Sequence, residues 1–169
     1  SVFPSAKSTD SVVMALGYCR ARNLDPFKRM VHIIPMWNGQ QKKMVEVVLP
    51  GIAEYRATAA RTGQYAGCDA AEFGDDVHEN LGNVTIAYPA WCSVTVYRII
   101  HNTRVAFHGP KVYFLETYAT RGRNEEAPND RWARAPSQML EKCAEAAALR
   151  RAFPEELGGQ PTAEEMEGK

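Results

Sequence analysis

"WCSVTVYRIIHNTRVAFHG", residues 91–109, alternates side chains with a period of two. In an extended chain Cys92, Val94 and Val96 share one face, and Ser93, Thr95 and Tyr97 share the other, which predicts a strand buried on one side. The turn-forming "HNT" that follows can lead back into a second strand, so the segment predicts an antiparallel hairpin carrying Arg98 and Arg104. "KVYFLETYAT", residues 111–120, predicts a third strand with Lys111 at its start.

Helical periodicity brackets this region. "MLEKCAEAAALRRAF", residues 139–153, places Met139, Leu140, Cys143, Ala146, Ala147 and Phe153 on one apolar arc, with Arg150 in the middle of it. A hydrophilic connection containing "RWAR" precedes that helix, and Pro154 with Gly158-Gly159 ends it. Near the start, "STDSVVMALGYCRARN" predicts a helix capped by Ser8, Thr9 or Asp10, with Val12, Val13, Leu16 and Cys19 as its stripe. "MVHIIPMWNGQQKKMVEVVLP" predicts a hairpin turning at Asn38-Gly39, with Lys42 and Lys43 just past the tip. "PGIAEYRATAARTGQ" predicts a helix with proline in its first turn, Ile52, Tyr55 and Ala59 on one face, Arg56 among its residues, and Gly63 as the stop. Residues 67–90 lack periodicity and predict an acidic loop, with a short strand around "VTIAYP". The order of elements makes the class α+β, antiparallel hairpins packed with helices.

Composition narrows the function. At 169 residues with 45% hydrophobic and 24% charged, the chain suits one folded domain, 1–169. Cys19, Cys68, Cys92 and Cys143 show neither metal-ligand nor disulfide spacing, which predicts a reducing cytoplasm. No run approaches the ~18 apolar residues of a membrane span. Net charge is zero but segregated: residues 1–60 hold 8 basic and 4 acidic groups, 61–90 hold 1 and 5, 91–123 hold 5 and 1, and 124–169 hold 6 and 10. A neutral chain arranged this way can present a basic surface to a polyanion.

An enzyme needs a constellation, and the only candidate is "DDVHE" (Asp75, Asp76, His78, Glu79), whose glycine-flanked acidic setting predicts a solvated loop rather than the metal site of a nuclease. A non-enzymatic protein without a cofactor is the expectation. Single-stranded nucleic acid is held by cations that follow phosphates and by aromatic faces that support bases. Arg98, Arg104, Lys111 and the "RWAR" residues Arg131, Trp132 and Arg134 offer both, with Trp132 equally readable as a core anchor. Arg150 needs an anion, inside the protein or outside it.

"RWARAPSQMLEKCAEAAALRRAFPEELGG", "ALGYCRARNLDPFKRMVHIIP" and "VTVYR" together resemble the RecT/Bet family of phage recombinases, the phage lambda Redβ-like annealing proteins, in the family's order and from about Ser8 to Gly159. The resemblance implies ATP-independent annealing of complementary single strands. It also implies a homo-oligomeric ring or helical filament on single-stranded DNA and on the annealed duplex intermediate. A phage 5′-to-3′ exonuclease partner, a phage or prophage origin and action in the bacterial cytoplasm are further implications. On it, residues 1–169 are a DNA-binding and oligomerisation core without the family's further C-terminal partner-binding region. Trp132, Met139 and Arg150 match the family block whose helix helps to build the DNA groove. Where the family carries lysines this chain has Ser137 and Cys143, with Lys142 and Arg151 as neighbouring cations on the same helix. The expected contact set is therefore Arg56, Arg98, Arg104, Lys111, Trp132, Arg134, Met139, Lys142, Arg150 and Arg151, with the stem of Arg150 packed by Met139 and Cys143.

Overall fold

The alternation at 91–109 holds in the computed structural model, which describes residues 2–169. In chain order the elements begin with α1 (Thr9–Ala21), a 3-10 turn (Pro26–Lys28), strands β1 (Val31–Asn38) and β2 (Lys43–Pro50), and α2 (Ile52–Arg61). Short strands β3 (Tyr65–Cys68), β4 (Glu72–Phe73), β5 (Asp76–Leu81), β6 (Val84–Pro89) and β7 (Trp91–Ser93) follow. After β8 (Thr95–Ile100), β9 (Thr103–His108) and β10 (Val112–Tyr113) the chain is helical, with α3 (Phe114–Thr117), α4 (Asp130–Arg134), α5 (Pro136–Ala152), α6 (Pro154–Leu157) and α7 (Ala163–Met166). Every pairing is antiparallel, in sheets ordered β1-β2, β10-β7-β4, β3-β8-β9 and β5-β6, so the fold is α+β as the sequence implies.

α5 is the centre of the main core. Met139, Leu140, Cys143, Ala144, Ala146, Ala148, Leu149 and Ala152 are all buried on it. That is wider than one arc, and the alanines allow it, because β7, β8, β9 and α2 close on the helix from several sides. Cys92, Val94 and Val96 face it from the strands, while Trp132 and Phe114 pack alongside in an edge-to-face pair. A second cluster, built on Ala15, Cys19, Val31, Ile33 and Val48, joins α1 to the β1-β2 hairpin. The hairpin's other face is covered by α7, where Ala163 packs with Ile34 and Leu49.

Several local expectations are revised. The stripe of α1 is Ala15 and Cys19, whereas Val13 and Leu16 face outward, because a helix apolar on both sides leaves its buried face to be chosen by packing. The expected strand at 84–89 is β6, but residues 76–81, expected as loop, form β5 and pair with it: Leu81, Ile86 and Tyr88 turn inward and the acidic side chains are left at the surface. The third strand is only Val112–Tyr113, and the chain then takes a helical turn that puts Phe114 in the core. Turn chemistry also differs, with Gly39 to Lys42 forming a four-residue connection closed by Lys42 at φ 50°. Pro50 ends β2 and Gly51 caps α2.

Gly82 opens the β5-β6 turn at φ 56°, and a Cβ there would stand 2.5 Å from the backbone nitrogen of Ala127. Gly82→Ala is expected to destabilise the chain by more than about 1 kcal/mol, since strain and collision act together. Chemical denaturation of the two proteins checks it, and equal midpoints would contradict the close approach.

Candidate nucleic-acid interface

The ten expected contact residues divide by what they already hold. Trp132 is 1% exposed and Met139 is buried in the same main core, so the core reading of Trp132 is the one the structure adopts and both side chains are closed off from solvent. Arg150 reaches α7: its guanidinium donates to both oxygens of Glu165 at 2.6 and 2.8 Å and to the Tyr55 hydroxyl at 3.3 Å. Glu165 also accepts from the backbone and hydroxyl of Thr162 in a capping box. Burial disfavours the charged Glu165, but the Arg150 and Thr162 bonds outweigh it and hold its carboxyl below the usual range.

Arg98 and Arg56 are similarly occupied. Because Arg98 lies on the inward face of β8, it stacks 4.5 Å from the Phe153 ring, donates to the Ala152 carbonyl at 2.6 Å, and pairs with Glu156 at 2.9 Å. It thereby caps the C-terminal end of α5, where orphan carbonyls and the helix dipole favour a cation. Arg56 on α2 makes a two-pronged pair with Glu145 on α5, at 2.6 and 2.8 Å.

Arg104, Lys111, Arg134, Lys142 and Arg151 are different. Among the described residues none of them has a carboxylate within ion-pair distance. Arg104 and Lys111 belong to the outer face of the strand ladder, since the alternation that sends Cys92, Val94 and Val96 inward sends Trp91, Ser93, Thr95 and Tyr97 outward. The Arg104 guanidinium lies 3.5 Å from the Tyr97 ring centre, and the Lys111 ammonium 4.5 Å from that of Trp91. These are cation–π pairs on one face, and Arg151 meets the edge of it through the His108 carbonyl at 2.7 Å. Asp69, which accepts from the Tyr97 hydroxyl at 2.8 Å, and Glu72, opposite Ser93, share that face and reduce its net positive charge.

The tip of the β1-β2 hairpin was not singled out by its sequence as an aromatic site. Trp37 and Met44 are cross-strand partners there, 51% and 56% exposed. Lys42 and Lys43 sit beside them in the turn and first strand position, and the Arg123 guanidinium approaches the Trp37 ring to 5.9 Å. The alternation of β1 carried the signal: Trp37 belongs to the face of Ile33, but it lies past the end of α1's cover.

The acidic "DDVHE" segment runs through β5, so Asp76 and His78 point outward while Glu79 turns toward Tyr88, whose hydroxyl it accepts. Among the described residues no three His, Cys, Asp or Glu side chains come together as a metal site. Burial pushes the thiols of Cys92 and Cys143 up to about 12, which keeps both protonated as core residues. No helix among the described residues is long and apolar enough to cross a membrane.

A comparison with curated proteins returns no match. The RecT family, whose members act in phage single-strand annealing recombination, matches residues 2–169, essentially the whole length. The α+β core, the strand ladder and the C-terminal helix block all lie inside that match, and the chain belongs to the RecT family.

Proposed function

We propose that the chain binds single-stranded DNA and promotes ATP-independent annealing of complementary strands as an oligomer or filament, without itself being an enzyme. The match to the RecT family over residues 2–169 carries this reading. Its physical support is a set of cations with no ion-pair partner among the described residues, Arg104, Lys111, Arg134, Lys142 and Arg151, together with the basic and aromatic hairpin tip of Trp37, Lys42, Lys43 and Arg123. Cations that need not break an internal pair can neutralise phosphates at low cost, and an exposed indole offers a base a face to stack on. Held by its phosphates, a strand keeps its base edges free to test a second strand, and a correct pairing persists. A bacterial cytoplasmic setting, a phage or prophage origin and a 5′-to-3′ exonuclease supplying single strands complete the proposal.

Mixing labelled complementary oligonucleotides without ATP is the test. Acceleration of duplex formation is expected. Tight binding with slowed pairing would instead indicate a passive single-strand binding module, and magnesium-dependent cleavage would indicate a nuclease. Affinity is expected to fall with salt, log K against log [salt] having a slope of about −0.7 per phosphate contacted. Trp37→Ala should lose about 1–3 kcal/mol of oligonucleotide binding, the range for one base stack, with little change in thermal stability. If only Arg104→Ala and Lys111→Ala weaken binding while Trp37→Ala does not, the strand-ladder face is the contact and the tip is not.

A further inference from the structure

α1 is apolar on both sides, and the rest of the chain covers only one. Ala15 and Cys19 are buried against the β1-β2 sheet, whereas Val13 and Met14 on the outward arc are each 62% exposed, with Leu16 beside them. Gly17 lies between them on the wheel, and a Cβ built on it meets nothing within 4 Å. Phe27, in the 3-10 turn that follows, is 79% exposed. A helix of this pattern belongs in an interior or an interface, since a solvated outer face is normally polar. Arg20, Lys28 and Arg29 border the patch, all exposed and, among the described residues, without an ion-pair partner.

The complementary surface is on the same molecule. Asp75 and Asp76 are exposed where β4 leads into β5, and Phe73, on the face of β4 opposite to Glu72, is 42% exposed just before them. Asp75 and Asp76 have no ion-pair partner among the described residues. One surface is apolar with a basic border, and the other sets the carboxylates of Asp75 and Asp76 beside an exposed aromatic ring in sequence. They belong to different elements, α1 with its following turn and β4 with the start of β5.

We propose that the outer face of α1 docks the acidic β4–β5 surface of a second copy of this chain. This rests on the reading that the protein works as an assembly, and it gives that assembly its contact. Because the two faces differ, the contact is head to tail: each copy added leaves one free face at each end, which generates a ring or a filament rather than a closed two-fold dimer. Met14, Val13 and Phe27 supply the apolar centre, and the carboxylates meet Arg20, Lys28 and Arg29 at the border.

Sedimentation velocity on the full chain, alone and with a thymidine homopolymer, tests the contact. Arg20→Glu with Lys28→Glu reverses one border, and Asp75→Lys with Asp76→Lys reverses the other. Each double variant should weaken self-association by at least about tenfold, because like charges then face each other across the joint. An equimolar mixture should assemble again, since each reversed face meets the other's reversed face and each native face meets a native one. Restoration on mixing also shows that both variants are folded. Variants that assemble like the parent, or a mixture that stays dissociated, would overturn the placement while leaving assembly itself standing. If Arg20→Glu with Lys28→Glu lost only homopolymer binding, the border would be a DNA contact and the proposal would fall. A parent chain that stays monomeric with and without the homopolymer would remove the assembly reading as well.

Discussion

Arg150→Ala is expected to lower the stability of the chain by about 3–5 kcal/mol, the range for breaking a largely buried ion pair from one side. The loss would come from Glu165, which would be left in a partly buried site with Thr162 as its only remaining partner. Tyr55 would lose its contact with the guanidinium, although its hydroxyl still donates to the Gln160 carbonyl. The effect should spread along the C-terminal segment. Glu164 accepts from the Ile52 backbone at the start of α2, and Ala163 covers Ile34 and Leu49, so the short α7 that Arg150 holds also closes the hairpin sheet. The sign of the pH dependence follows from Glu165. Its folded pKa is depressed below the ordinary 4.5, so its contribution is fully present above that value and is lost as the pH falls through the folded pKa. The parent should therefore lose more stability than Arg150→Ala on acidification below about pH 4.5. Arg151→Ala, an exposed neighbour bonded to a single carbonyl, should change stability little. Unchanged melting of Arg150→Ala together with a drop in oligonucleotide affinity would reassign the guanidinium from the fold to DNA.

The fold class was legible because the decisive signals are local. The alternation at 92–97 and the turn residues His101 and Asn102, both at positive φ, act within a few residues and survive in the structure. The missed elements depend on partners far away in sequence. On the inner face of strand β5 Glu79 stands between Val77 and Leu81 and interrupts the apolar alternation, so its pattern becomes readable only beside β6, where Tyr88 donates to that carboxylate. The core role of Trp132 depends on Phe114, and the partner of Arg150 lies across a glycine pair in a four-residue helix that no long periodicity announces. Spacing can say that an arginine on an apolar arc needs an anion. It does not say which one.

Trp132→Ala is expected to cost about 3–5 kcal/mol through the cavity left in the main core, with oligonucleotide affinity in the folded fraction unchanged. The indole is buried against the middle ring of an aromatic stack: it meets Phe114 edge-on at 5.6 Å, and Phe114 stacks on Tyr88 at 4.1 Å and on Tyr118 at 5.2 Å. Asn129 caps α4 by accepting from the Trp132 backbone, so the short helix is anchored at the same residue from both main chain and side chain. Loss of the ring would free Phe114, which follows β10 directly and fixes the end of the strand ladder that carries Lys111 and Trp91. Trp132→Phe should recover part of the stability, because it refills most of the volume and keeps an aromatic edge. Urea unfolding followed by near-ultraviolet dichroism reads the core directly, and oligonucleotide titration on the same samples reads the surface. If Trp132→Ala kept the parent's unfolding midpoint while its DNA affinity fell as expected for Trp37→Ala, the two tryptophans would have exchanged roles, and the interface would lie along the "RWAR" segment after all.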